Sequence, residues 1–241
     1  MRLPRIRSEI ERRLLVNYRA DPEVVAPLLP APFRPQLAGD AAVVGICLIR
    51  LGGTRPIGLP RWIGLRSENA AHRIAVEWDG PNGVQAGVFI PRRDSGSRAT
   101  VILGGRVFPG AHHRAVFRVS ETPTKLDVAF SATDGSVEVD VSVRIADDMQ
   151  GRIFPDLESA SRFFEGGADG FSPTRDGSGY EGLRLVSSAW KVEPCIVERA
   201  RSSFYEDPKL FPAGSVELDH ALVMRRIPVQ WRTLDRMTSA A

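Results

Sequence analysis

Lysine is nearly missing from this chain. Of 32 basic residues in 241, only Lys125, Lys191 and Lys209 are lysines, which leaves 29 arginines. Chemistry that needs a primary amine, such as imine formation with a ketone, therefore has few side chains to draw on. Cysteine is scarcer still. Cys47 and Cys195 lie far apart in apolar runs and fit no metal or redox spacing, so two buried thiols in a reducing compartment are expected. No window approaches the roughly 18 apolar residues that cross a bilayer, and the basic start "MRLPRIRSEIERRLLVNY" leads into no apolar stretch of signal-peptide length. A cytoplasmic protein with no membrane partner is the expectation.

The usual chemical signatures are also absent. There is no phosphate-cradling P-loop, no G-x-G-x-x-G after a strand, no G-x-S-x-G elbow, no H-E-x-x-H and no paired C-x-x-C. No cofactor and no metal are expected. His72, His112, His113 and His220 are the only histidines. Neighbours on a strand point to opposite faces, so His112 and His113 could share a ligand only from an irregular turn. The net charge is +3, but the arginines are interleaved with Asp and Glu rather than gathered in a stripe. That pattern argues against a nucleic-acid partner. Arg2, Arg5, Arg7, Arg12 and Arg13 do cluster, and read as a solvated tail followed by a strand edge.

What is present is punctuation. Proline and glycine recur every ten or so residues, with short Val-, Ile-, Phe- and Ala-rich runs between them, which predicts a mainly β protein. "SVEVDVSVRI" puts Val137, Val139, Val141, Val143 and Ile145 on one face, a strand with one wet side. "ATVILGGRVF", "HRAVFRVS" and "LRLVSSAWKVEP" are further expected strands. Two helices stand out. "ADPEVVAPLLP" has Asp21 as cap and Pro22 at the first position, and its later prolines keep it to a turn or two. "FPDLESASRFFEGG" is capped by Asp156, shares Leu157, Ala160 and Phe164 on one face, and ends at Gly166–Gly167. The following segment, 165–180, is the most loop-like, a lid or a plain connector. One domain over 1–241 is expected, with tails at 1–9 and 233–241.

Two stretches carry a resemblance. "VNYRADPEVVAPLLPAPFRPQ" is a strand ending in Tyr-Arg-x-Asp, a short helix and Leu-Pro-x-Pro. "AGVFIPRRDSGSRATVILGGRVFPGAHHRAVF" is a strand, a polar turn, a hydrophobic run and a Gly-Arg turn. Their order, with "SENAAHRIAVEW", "AWKVEP" and "LDHALVMRRIPVQWR", resembles the acetoacetate decarboxylase-like superfamily, in its uncharacterised YqjF-like branch. The resemblance implies an α+β, mainly β fold of curved antiparallel sheets forming a barrel-like cavity for a small molecule, with a few short helices. In the decarboxylase a lysine forms a Schiff base and a second lysine beside it lowers its pKa. Counting from Gly105-Arg106 places His113 and Arg114 at that pair.

An imidazole cannot make an imine with a ketone. The remaining lysines are poor substitutes, since Lys125 reads as a hairpin turn, Lys191 as outward-facing and Lys209 as a loop residue. Schiff-base decarboxylation is therefore not expected. The resemblance also implies a retained carboxylate at Glu68, a missing one near Gly45, and an arginine at Arg12 or Arg13. The candidate catalytic residues are His113 and Glu68, with Arg73, Arg106 and Arg114 binding substrate. Arginine grips a carboxylate in bidentate fashion and histidine moves a proton near neutral pH. Three readings stay open. One is acid–base chemistry on a small carbonyl or carboxylic acid. The second is a non-catalytic ligand-binding protein, possible as a homo-oligomer. The third is an interaction module with a filled core, which the absence of any pocket would favour. A cavity that holds His113 and Glu68 together would favour the first, and an apolar one that excludes them the second.

Overall fold

The computed structural model describes residues 5–103 and 109–238. Its strands are β1 (Ile6–Ala20), β2 (Arg34–Pro35), β3 (Leu37–Ala38), β4 (Ala41–Pro56), β5 (Leu65–Gly80), β6 (Gly83–Ser95), β7 (His112–Glu121), β8 (Lys125–Ala132), β9 (Glu138–Ile145), β10 (Asp169–Pro173), β11 (Gly179–Val186), β12 (Glu193–Ser202), β13 (Val216–Thr233) and β14 (Met237–Thr238). The α-helices are α1 (Pro22–Val25), α2 (Arg98–Leu103) and α3 (Leu157–Gly166). No helix among the described residues is long and apolar enough to cross a membrane.

All the strands join one sheet, in the order β14-β11-β10-β6-β7-β8-β9-β12-β13-β1-β4-β5-β2, with β3 on β4. Additional pairings of β5 with β6 and β11 with β13 make the sheet curl and close on itself. Pairing is antiparallel except where β6 meets β7 and β10. The central strands β13, β1, β4 and β5 are consequently covered on both faces. On one side Leu14, Val16, Ile46 and Leu48 pack with Leu126, Val128 and Phe130 of β8 and Val139 and Val141 of β9. On the other, Ile10, Leu15, Cys47 and Ile49 pack with Phe154, Leu185 and Phe164 of α3. This is why β4 reads as an unbroken apolar run, "AAVVGICLI", buried throughout. Burial of each such side chain contributes roughly 1.5–3 kcal/mol.

The mainly β class, the alternation of β9 and the capped α3 agree with the sequence reading. Asp156 accepts a hydrogen bond from the Ser159 amide at 2.7 Å. Three local expectations are corrected. The run 99–108 was expected as a strand, but its first part lies in α2; Ser97 Oγ accepts from the Thr100 amide at 3.2 Å and caps this helix. Residues 104–108 lie outside the described residues. The loop-like 165–180 contains β10, whose Phe171 is buried against β6 while the strand pairs with β11. Its glycine, serine and proline carry no strand signal; tertiary pairing makes the strand. The expected tails also take part in the sheet, since Ile6 pairs with Pro56 and Trp231, and Met237 with Tyr180.

Candidate functional site

Residues directly opposite one another in a ladder share a face. One row on the α3 side of the sheet therefore runs Leu222, Leu15, Cys47, Ala71, Arg93 and His112 across β13, β1, β4, β5, β6 and β7. The next row runs Met224, Arg13, Ile49 and Asn69. Over these rows lies a cavity of about 100 Å³. Its wall is largely apolar, with Ile49, Leu51, Leu65, Ala71, Leu183 and Trp231, and its polar end is made by Arg93 and His112.

Arg93 Nε donates to Ser172 Oγ at 2.8 Å, and no carboxylate among the described residues lies within ion-pair distance. Burial pushes its guanidinium down to about 10, so it keeps its proton at neutral pH. Burial, and then the charge of Arg93, push His112 down to about 3. The cavity thus pairs a permanent cation with a neutral imidazole.

Two more arginines flank Cys47 on this face. Arg13 Nε donates to Cys47 Sγ at 3.3 Å, and its guanidinium stands 5.7 Å from the Trp190 ring centre. Arg73 is 3 % exposed, lies 4.8 Å over the Phe164 ring and donates through Nη2 to Asn17 Oδ1. Asn17 Nδ2 donates to His220 Nε2 at 3.0 Å, and His220 Nδ1 donates to Asp219 at 2.7 Å, which also accepts from the Arg152 amide. Each donor in this chain fixes the next acceptor, so Arg73 is held in one place. Burial, and then repulsion from Arg13, lower the Arg73 guanidinium to about 10. Gly45 lets β1 and β4 approach each other, because a Cβ there would collide with the Val16 carbonyl oxygen; Arg73 Nη2 would stand at contact distance, 3.4 Å. A position where the resemblance implied a missing acid is thus occupied by a guanidinium.

His113 and Glu68 are not brought together. Both lie on the opposite face of the sheet from the cavity. His113 Nδ1 is 3.3 Å from Asp134 Oδ2, and its side chain is 41 % exposed. Glu68 accepts from Arg12 at 2.6 Å and from Arg50 at 2.5 Å, and Arg50 also holds Glu121 at 2.8 Å. Arg73 is on the cavity side, next to Arg13 rather than in the cavity wall. Arg114 shares the His112 face of β7 and donates to the Ser95 carbonyl at 3.4 Å. Arg106 lies outside the described residues. Of the alternatives Arg12 and Arg13, the second faces the cavity side and the first is buried in the Glu68 cluster. Sequence reasoning missed the cavity-side role of Arg93 and His112. The signal for His112 was strand parity, because Ala115 is a core residue and His113 shares its face. No such signal exists for Arg93, because a bulge between His72 and Ile74 shifts the register of β6.

The family model of DUF2071, described as an uncharacterized conserved protein, matches residues 7–206. The chain belongs to this family. No curated protein matches the sequence. Among solved structures, the chain is similar to acetoacetate decarboxylase from Legionella pneumophila, with a TM-score of 0.62 and 15 % identity over 99 % of this chain and 88 % of that one. An acetoacetate decarboxylase-like enzyme from Sphingomonas wittichii RW1 superposes with a TM-score of 0.62 and 12 % identity over 100 % of this chain and 95 % of that one. The enduracididine biosynthesis enzyme MppR, complexed with pyruvate, gives 0.61 and 13 % over 100 % and 93 %. This DUF2071 chain therefore has the acetoacetate decarboxylase-like fold. Its own three lysines stand apart from the cavity wall. Lys125 pairs with Glu198 at 3.0 Å, and Lys191 and Lys209 are exposed.

Proposed function

We propose that this protein holds a small carboxylic acid non-covalently, with the carboxylate on Arg93 and the carbon chain against Ile49, Leu51, Leu183 and Trp231. The observation that carries the reading is a charged guanidinium with no carboxylate partner among the described residues, facing a largely apolar cavity. A buried charge left unpaired is costly, and an anionic ligand supplies the missing partner. Neutral His112 beside it adds no second charge to the polar end of the cavity. That a protein of the same fold holds pyruvate supports a ligand of this class.

Binding is favoured over turnover for two reasons. No lysine lines the cavity, so the amine for an imine is lacking. An imidazole whose conjugate acid titrates near 3 is also a weak base for taking a proton beside a carbonyl.

The test is thermal unfolding with butyrate, hexanoate and the neutral amides of both. An acid at about a hundred times its Kd adds about 2.7 kcal/mol, or roughly 5–10 °C for a chain of this size. The acids should stabilise and the amides should not. Arg93→Gln should abolish the effect, and His113→Ala should leave it intact. Stabilisation that survives Arg93→Gln, or none with any acid, overturns the proposal.

A further inference from the structure

Arg93 is not the only cation without a counter-ion on the cavity side of the sheet. Arg13 and Arg73 also form no ion pair among the described residues, and the charge of Arg13 bears on Arg73. The surroundings of these two are sulfur, aromatic rings and one amide: Cys47, Met224 and Trp190 for Arg13, and Phe164 and Asn17 for Arg73. Arg73 Nε is buried with no hydrogen-bond partner. The one carboxylate linked to this group, Asp219, reaches it only through His220 and Asn17, and it is already engaged by His220 and two backbone amides.

The contrast across the sheet is direct. On the other face Arg12 and Arg50 are matched by Glu68 and Glu121. Arginines on one face are neutralised within the protein, and those on the other are left to repel. A buried Arg73 beside a half-buried Arg13 of like charge costs stability unless something neutralises them. A rigid chain of donors and acceptors nevertheless holds Arg73 in place.

From this unequal pairing we infer that the ligand carries two acidic groups, one on Arg93 and the other on Arg13, where it would also offset the charge of the neighbouring Arg73. The inference rests on the carboxylate reading above and narrows it to a short dicarboxylate. Arg13 on β1 and Arg93 on β6 are three strands apart, roughly 14 Å between backbones at about 4.8 Å per strand. Arg13 stands directly opposite Ile49 of the cavity wall in the β1–β4 ladder. Cys47 and Ala71 lie between them in the rows, and both are small.

Calorimetry on the full chain with matched pairs tests this: succinate against butyrate, glutarate against pentanoate, adipate against hexanoate. At least one dicarboxylate should bind about tenfold or more tightly than its partner, the effect expected of one further charge-assisted contact. Arg13→Gln should remove that advantage and leave the monocarboxylate affinity within about twofold. Arg93→Gln should weaken both members of a pair. Equal affinities within every pair, or an advantage that survives Arg13→Gln, overturn the two-acid inference and leave the carboxylate reading standing. If no acid of either kind binds the unmodified protein, both fall. The comparison on the unmodified chain does not depend on either variant folding.

Discussion

Lowering the pH from 7 to 5 should remove about 4 kcal/mol of folding stability, with the buried His72 and the half-buried His112 responsible. His72 is completely buried, stacks 4.6 Å from Phe204 and meets Ser202 Oγ at 3.2 Å. Burial, and then the charge of Arg92, lower it from 6.5 to about 3. His112 is lowered to about 3 by burial and Arg93. In the unfolded chain both titrate at their ordinary value. Below pH 6.5 the unfolded state therefore takes up protons that the folded state cannot, and stability falls with acid until pH passes the folded values. Each proton is worth about 1.36 kcal/mol per pH unit, so pH 5 costs about 2 kcal/mol per histidine. Carboxylates held low, such as Glu198 at about 2, begin to contribute only below their ordinary value of 4.5. Asp94 is raised by burial and works in the opposite sense, so wild type alone does not isolate the histidines. Urea unfolding at pH 7, 6 and 5 on wild type, His72→Gln and His112→Gln does. Each substitution should shrink the loss between pH 7 and 5 by about 2 kcal/mol, whatever it costs at pH 7. The full wild-type loss retained in both variants would refute the reasoning. Against a total stability of about 5–15 kcal/mol the effect is large enough to read directly.

Two further outcomes are expected. Tyr205 Oη accepts from the Gly45 amide at 2.9 Å and donates to the Gly45 carbonyl at 2.7 Å, inside the β4–β5 ladder. Tyr205→Phe leaves both groups buried and unpaired, so it should cost about 2–3 kcal/mol and lower Tm by roughly 5–10 °C, with an unchanged Tm counting against this bond. Incubation with acetoacetate and borohydride should leave no covalent adduct by mass spectrometry, and a trapped lysine would contradict the placement of all three lysines away from the cavity.

Much of this protein was legible in its residues. Period-two alternation fixed β9, because a strand wet on one side must repeat every second residue. Asp156 and its glycine stop bounded α3, because capping is a local hydrogen-bond problem. The scarcity of lysine narrowed the chemistry before any coordinate. Which histidine meets the cavity was nearly legible, since His112 and His113 alternate and only the buried face of β7 had to be known.

What the residues could not decide depended on contacts distant in sequence. β10 owes its conformation to the strands it pairs with rather than to its own propensity. The facing of Arg93 turns on one bulge opposite His72, because an extra residue inverts every side chain beyond it. The sorting of arginines is likewise tertiary. Arg12 and Arg13 are adjacent in the chain, yet one meets Glu68 and the other Cys47. Sequence set how many charges this protein carries. Only the closing of the sheet decided which of them find a partner, because counter-ions are chosen by distance in space and not along the chain.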